Sequence, residues 1–247
     1  MALIGFDEYH MGTSVANPEA IGLSTLAGLL VTNGHTVETI REPLSLDKEL
    51  PWDVVVLPFP KEEFKVDETM SLQNHLRSGK SVLLLAEWGD LFGHVEILNQ
   101  LTSPFGITIN KDRVTDHEQH LTQKVELGGV VLGEQSMPHY VKIRNFTKHQ
   151  VTEGIRELHY FSGCSLGVSK PAVALAMTSG SSFGDIDLDS ELSEGEEQGA
   201  LCIAAASEMN GRLLVVGDSN VAANGYIDAA DNLRFVVQAI SWLSFAK

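Results

Sequence analysis

Three residues stand in settings that suggest a catalytic nucleophile: Ser182 within Gly180–Gly184, Ser219, and Cys164. The segment Gly180–Gly184 fits the G-x-S-x-G pattern of a nucleophile elbow, which presents a serine at the end of a strand. A hydroxyl or thiol attacks well only when a nearby base, usually histidine, accepts its proton. In that arrangement the histidine follows the serine, but the last histidine here is His159. The sequence therefore favours a protein without catalysis and leaves a serine hydrolase or esterase as the alternative.

Polar side chains also follow several predicted strands, at the point where each strand leaves the core. Because the carboxyl ends of parallel strands meet at one edge of a sheet, we expect these side chains to form one rim. Carboxylates, an imidazole and an amide there would bind a carbohydrate or a divalent cation, with Trp88 as a stacking face. Alternatively, they cap helices and fix turns. The predicted rim consists of Asp7, Glu8, His10, Glu87, Trp88, Asp90, Asp218, Ser219 and Asn220.

A strongly acidic stretch occupies residues 184–198 and contains no basic side chain. Such a composition predicts a solvated, mobile loop. The spacing also matches positions 1, 3, 5 and 12 of a calcium loop, although Ser190 stands where that loop prefers glycine. A calcium site is therefore the alternative to a plain acidic loop, and its ligands would be Asp185, Asp187, Asp189 and Glu196. Apart from this divalent cation, no cofactor is predicted.

Apolar runs and helical periodicity alternate along most of the chain, which predicts the elements that position the rim. Such alternation indicates βαβ crossovers and a mainly parallel sheet covered on both faces. We therefore predict one α/β domain over residues 1–247, a flavodoxin-like or amidotransferase-like three-layer sandwich, with a β-rich excursion at about residues 112–168. Strands are predicted at 2–6, 35–41, 53–57, 81–86, 171–178, 200–207 and 212–216, and helices at 18–33, 66–78 and 230–244.

The charge of the chain limits its partners. Seventeen basic and thirty-three acidic residues give a net charge of −16, which opposes binding to nucleic acid and to anionic membranes. No apolar run approaches the roughly 18 residues of a membrane span. Cys164 and Cys202 lie in apolar contexts and are predicted to be buried thiols, as expected in the cytoplasm. The expected partner is a small polar ligand or a protein, including a second copy of the chain.

Two short segments resemble parts of enzyme families. Residues 217–220, Gly-Asp-Ser-Asn, are similar to the GDS block of SGNH-type esterases, in which a D-x-x-H motif lies far downstream. Cys164 and its neighbours are similar to the elbow cysteine of class I glutamine amidotransferases, in which a His-x-Glu pair follows. No histidine follows either segment here. An esterase-like or amidotransferase-like enzyme stays the alternative.

A longer set of segments resembles the GIFT-type domain, which occurs in a gliding-motility ABC-transporter auxiliary protein and in an intraflagellar-transport subunit. The resemblance implies an α/β domain, near the trehalose-utilisation and amidotransferase-like folds, that lacks a catalytic cysteine and serves in binding or assembly. It also implies an association with a transport or envelope system. The segments, in the family's order, are Phe6–His10, His149–Ile155, Lys170–Leu175, Thr178–Phe183, Gly211–Asn224 and Asn232–Leu243.

Overall fold

A computed structural model describes residues 1–10, 12–93, 95–128 and 130–244 of the chain. Its elements form a mixed α/β fold with few helices. The helices are α1 (Ser24–Thr32), α2 (Val66–Arg77), α3 (Val95–Thr102) and α4 (Asn232–Leu243). The strands are β1 (Leu3–Asp7), β2 (Thr36–Ile40), β3 (Val54–Pro58), β4 (Ser81–Leu85), β5 (Ile107–Ile109), β6 (Arg113–Thr115), β7 (His120–Leu127), β8 (Val130–Ile143), β9 (Asn145–Phe146), β10 (Leu158–Phe161), β11 (Leu166–Val168), β12 (Val173–Met177), β13 (Phe183–Asp185), β14 (Cys202–Glu208) and β15 (Arg212–Val216).

The largest sheet has ten strands, and its main path runs β2-β1-β3-β4-β15-β14-β11-β5. The first five strands pair in parallel, as the alternating pattern predicted. From β14 onward every pairing is antiparallel, so the sheet is mixed rather than mainly parallel. The cause is local, because only residues 209–211 separate β14 from β15. A parallel connection needs a dozen or more residues, so this short turn forces a hairpin.

Two apolar clusters lie on the two faces of the parallel strands. Successive side chains of a strand point to opposite faces. On β3, Val54 and Val56 accordingly join the cluster that contains residues of α1 and α4. Val55 and Leu57 join the cluster that contains residues of α2 and α3. Strands β1, β3, β4 and β15 are therefore buried on both sides, and their polar groups reach solvent only at the strand ends. The edge strand β2 exposes Thr36 and Glu38.

Residues 112–168 carry a second β structure beside the main sheet. Strands β7 and β8 form a long antiparallel hairpin, and β10 pairs with the far end of β8. Strand β6 pairs with β13, which leads into the acidic stretch. None of the helices in the described ranges has both the length and the hydropathy that a membrane span requires.

Candidate functional site

Three of the predicted rim segments start from neighbouring strand ends. Strand β1 ends at Asp7, and the segments Glu87–Asp90 and Asp218–Asn220 follow β4 and β15. Neighbouring strands lie about 4.8 Å apart, so β1 and β4, which flank β3, are separated by about 10 Å. The side chains along this edge form two separate groups.

The first group, called the β1 cluster, consists of Asp7, His10 and Glu68 and is buried. His10 Nδ1 lies 2.9 Å from Asp7 Oδ2, and His10 Nε2 lies 3.3 Å from Glu68 Oε1. Burial by itself lowers the pKa of His10, but the hydrogen bond to Asp7 and the charges of Asp7 and Glu68 raise it by more. The net effect is a raised pKa, which favours an imidazolium between two carboxylates.

The segment after β1 fills the crevice where an open α/β sheet usually binds its ligand. That crevice lies where strand order reverses, here between β1 and β3. The His10 ring stacks on Phe64 with 3.7 Å between centroids, and the His10 carbonyl accepts hydrogen bonds from the backbone of Lys61. Thr13 N donates to the carbonyl of Pro58, the last residue of β3. Asp7 and His10 are therefore enclosed by the protein's own chain.

The second group, called the β4–β15 cluster, consists of Glu87, Asp218, Ser219 and Asn220. Ser219 Oγ donates to Glu87 Oε1 at 2.5 Å, and Asn220 Nδ2 lies 3.4 Å from the same oxygen. The buried Asp218 carboxylate accepts hydrogen bonds from Phe161 N at 2.6 Å and Asn220 N at 2.8 Å. Glu87, Ser219 and Asn220 are half-buried and remain accessible from solvent.

The two carboxyl groups of this cluster have raised pKa values, mainly because they are buried. Burial raises the pKa of Asp218 to about 7, although hydrogen bonds from Phe161 and Asn220 favour its charged form. Burial, and then the charge of Asp218, raise the pKa of Glu87 to about 8.

The two proposed nucleophiles have different surroundings. Ser219 donates to Glu87 Oε1, and burial raises the pKa of the Cys164 thiol well above its usual value. Among the described residues, no histidine forms a hydrogen bond with Ser219 or Cys164. His159 Nε2 instead lies 2.8 Å from Glu157 Oε1, and His94 lies outside the described residues.

Glu8 and Asp90, the remaining acidic residues of the predicted rim, bind nearby backbone and side-chain groups. Glu8 accepts hydrogen bonds from the Ser14 hydroxyl at 2.8 Å and from Val15 N at 3.1 Å. Asp90 accepts from Val95 N at the start of α3 and pairs with Lys111 Nζ at 2.8 Å. These contacts match the expectation that such residues fix turns and helix ends.

Trp88 and a small apolar cleft border the β4–β15 cluster. The Arg113 guanidinium lies 5.6 Å from the centroid of the Trp88 ring, within the range of a cation–π contact. The cleft is lined by Glu87 and mainly by apolar residues, including Phe59 and Phe92, and has a cavity volume of about 20 Å³. That volume holds about one water molecule.

The predicted metal ligands fall into two sets. Ligand atoms of Asp185, Asp187 and Asp189 lie within 4.8 Å of one another. The Asp185 side chain is buried and pairs with Arg113 Nη2 at 2.6 Å. The Glu196 carboxylate instead accepts backbone hydrogen bonds from Ile186 at 2.6 Å and Ser193 at 2.9 Å.

Ser182 belongs to a serine cluster around Asp116. The hydroxyls of Ser179 and Ser182 donate to Asp116 Oδ2 at 2.6 and 2.7 Å, and Ser181 Oγ lies 3.0 Å from Asp116 Oδ1. Burial opposes the charged form of Asp116, but these hydrogen bonds lower its pKa by more. These hydrogen bonds connect Asp116 with residues 179–182. None of them involves a histidine, so they do not support a nucleophile elbow at Ser182.

Sequence reasoning missed Glu68, Arg113, Asp116 and Tyr160. Glu68 had one local signal, because a glutamate at the third helical position often reaches back to the start of its helix. Its carboxylate does accept Lys65 N at 3.0 Å. The contacts of Arg113 with Asp185 and Trp88 join distant parts of the chain. The hydrogen bond from Tyr160 Oη to the Cys164 carbonyl spans only four residues, but it depends on the folded turn between them. No local pattern marks such contacts.

One family model and several solved structures are similar to this chain. The family model described as "Domain of unknown function (DUF4350)" matches residues 15–240. The solved N-terminal domain of mmIFT52 is similar to this chain with a TM-score of 0.75 and 19% identity, covering 99% of this chain and 98% of that one. No curated protein sequence matches.

Two bacterial structures are similar at lower TM-scores. A ThuA-like protein from Bacteroides uniformis ATCC 8492 gives a TM-score of 0.56 at 12% identity, covering 98% of this chain and 89% of that one. A cytoplasmic protein from Salmonella typhimurium LT2 gives 0.57 at 10% identity, covering 98% and 97%. At such identities the similarity establishes a shared fold and nothing finer.

Proposed function

The chain belongs to the DUF4350 family, a domain of unknown function, and on that premise we propose that it is a non-catalytic binding or assembly domain. Its partner contacts the accessible half of the rim, formed by Glu87, Trp88, Ser219 and Asn220. The β1 half of the rim is excluded from direct contact because Asp7 and His10 are buried. Asp7 and His10 instead hold the segment after β1 in place.

One observation carries the non-catalytic part of the proposal: the Ser219 hydroxyl donates to Glu87 Oε1, whereas the serine of the esterase families acts with a histidine. The Cys164 thiol is buried, and its pKa is raised rather than lowered, which is the reverse of what a catalytic thiolate needs.

A small polyhydroxylated ligand such as a carbohydrate is the first ligand we propose for this half of the rim. Carboxyl, hydroxyl and amide groups converge at Glu87. Trp88 follows Glu87 in the chain, and its ring lies against the Arg113 guanidinium. The adjoining cleft holds about one water molecule, so a sugar would bind across its mouth or displace the Phe92 segment. Gly89 and Gly93, both at positive φ, bracket that segment and would allow it to shift.

The family resemblance extends this proposal. The fold similarity to the N-terminal domain of mmIFT52 supports an assignment to the GIFT-type group and a flavodoxin-like three-layer arrangement of the parallel half. We further propose a cytoplasmic location, in keeping with two unpaired cysteines, and an association with a transport or envelope system.

Two measurements test this proposal on the full chain. Incubation with p-nitrophenyl acetate and nitrophenyl glycosides should give no turnover above buffer, and Ser219→Ala should change nothing. Thermal unfolding with 10 mM trehalose, maltose or mannose should show a raised Tm in the wild type and in Glu194→Gln, a surface control. Trp88→Ala should lose that rise. Turnover that disappears in Ser219→Ala would establish an enzyme, and no Tm rise with any sugar would reject the carbohydrate ligand.

Protein assembly is the second candidate, favoured by the side chains of Leu91 and Phe92, which are 47% and 48% exposed beside Phe59. Exposed apolar side chains next to a polar rim are typical of protein contacts. A homodimer through this edge would appear in size-exclusion chromatography with light scattering. Leu91→Ser with Phe92→Ser should return it to a monomer, whereas a wild-type monomer would reject self-association.

A further inference from the structure

The acidic stretch contains a compact group of carboxylates. Ligand atoms of Asp185, Asp187 and Asp189 lie within 4.8 Å of one another. Calcium binds oxygen atoms at 2.3–2.6 Å, so two oxygens of one calcium site can lie up to about 5 Å apart. Magnesium requires about 2.0–2.1 Å in a strict octahedron, which limits that separation to about 4.2 Å. Magnesium also usually keeps several waters and binds one or two carboxylates, so a group of three carboxylates suits calcium better.

A buried oxygen atom in the same group has no partner in the described part of the chain. The Asp185 side chain is fully buried, and its Oδ2 pairs with Arg113 Nη2 at 2.6 Å and accepts from Ser190 N at 3.1 Å. Its Oδ1 has no hydrogen-bond partner among the described residues. A buried carboxylate oxygen without a donor is unfavourable, and a cation would satisfy it.

The order of residues around these carboxylates matches a calcium loop. At position 6 the residue type differs from that loop, but the backbone conformation agrees with it. Ser190 occupies position 6, where glycine is preferred because the backbone turns sharply. Here Ser190 has φ of 68°, so it adopts the left-handed conformation that glycine usually supplies. Ser193 and Glu196 occupy positions 9 and 12, and the Glu196 carboxylate contacts the backbone of Ile186 inside the loop.

We propose that residues 185–196 bind one Ca²⁺ ion through the carboxylates of Asp185, Asp187 and Asp189. The Glu196 carboxylate accepts backbone hydrogen bonds from Ile186 and Ser193 and so holds the loop together. Arg113 keeps Asp185 Oδ2, and the ion takes Oδ1. Asp187 and Asp189 are exposed and no helices flank the loop, so the site resembles weak calcium modules more than intracellular sensors. The expected Kd lies between about 10⁻⁴ and 10⁻³ M.

Isothermal titration calorimetry of the full chain, freed of metal by a chelator, tests this site with CaCl₂ in 0.1 M KCl. One saturable site is expected. Asp187→Asn with Asp189→Asn should weaken calcium binding at least tenfold. Glu191→Gln with Glu194→Gln removes the same charge from exposed positions of the same loop and should change the Kd by less than about twofold. Equal melting temperatures in EDTA would show that both double variants remain folded.

Three results of these titrations would refute the site. Absence of saturable binding up to 10 mM calcium would refute it. If both double variants weaken calcium binding equally, calcium is attracted by the net charge of the loop and not by a defined set of ligands. That result would also refute the site. MgCl₂ binding as tightly as CaCl₂ would also contradict the assignment, because a group of three carboxylates favours calcium.

Discussion

The Glu87–Asp218 carboxyl pair should make the folded state less stable as the pH rises from 6 to 8. Glu87 has a pKa of about 8 in the folded chain against an ordinary value of 4.5. A group whose folded pKa is raised stabilises the fold fully below its unfolded pKa, and that stabilisation is lost as the pH rises through the folded pKa. Each retained proton changes the free energy of unfolding by about 1.4 kcal/mol per pH unit.

Glu87→Gln isolates the share of Glu87 in this effect. The substitution keeps an oxygen for the Ser219 hydroxyl and removes the titrating proton. Between pH 6 and 8, Glu87 with a pKa near 8 retains most of its proton, so the wild type should lose about 2 kcal/mol more stability than Glu87→Gln over this interval. His10 titrates in both proteins, so its contribution largely cancels in the comparison. The charge of Glu87 acts on Asp218, so the measured difference belongs to the coupled pair.

Urea unfolding followed by far-ultraviolet circular dichroism at pH 6, 7 and 8 measures this difference. Glu194→Gln, at an exposed position, serves as the control and should keep the wild-type pH dependence. Parallel pH profiles for the wild type and Glu87→Gln would refute the raised pKa of Glu87.

Three further predictions concern the surroundings of the rim. Arg113→Ala leaves the buried Asp185 without its cation and should destabilise the fold by about 3–5 kcal/mol in EDTA, while Arg113→Met with Asp185→Leu should recover most of the loss in urea unfolding. Gly217→Ala places a methyl group against the Cys164 carbonyl and Tyr160 Oη and should sharply lower the Tm, whereas Gly180→Ala, which meets nothing within 4 Å, should not. The Cys164 thiol should resist Ellman's reagent in the folded protein at pH 8 and react after urea unfolding; rapid labelling of native protein would contradict its burial.

Hydrophobic runs predicted the strands that carry the rim, because a strand buried on both faces needs consecutive apolar residues. Strands β1, β4 and β15 accordingly lie within a residue or two of their predicted positions. Helix α3 was missed, because eight residues starting at Val95 carry no capping signal in the sequence. The hairpin of β14 and β15 could have been predicted from its short turn, since three residues do not allow a parallel crossover.

The contacts within the candidate site could not be predicted, because they join residues distant in the chain. Glu87 meets Ser219 only because β4 pairs with β15 in register, Leu85 beside Val216. His10 meets Glu68 only because α2 packs beneath the segment that follows β1. The left-handed backbone of Ser190 is likewise a property of the folded loop and not of the residue type, since serine rarely adopts it.

The position of β15 in the sheet has a consequence for synthesis. This strand lies between β4 and β14, at the centre of the main sheet, yet it follows every other described strand in sequence. Until β15 has been synthesised, β4 therefore presents an unpaired edge, and its five residues are all buried in the folded protein. Such an edge can pair with another chain, so β4 is exposed to misassembly until β15 joins it.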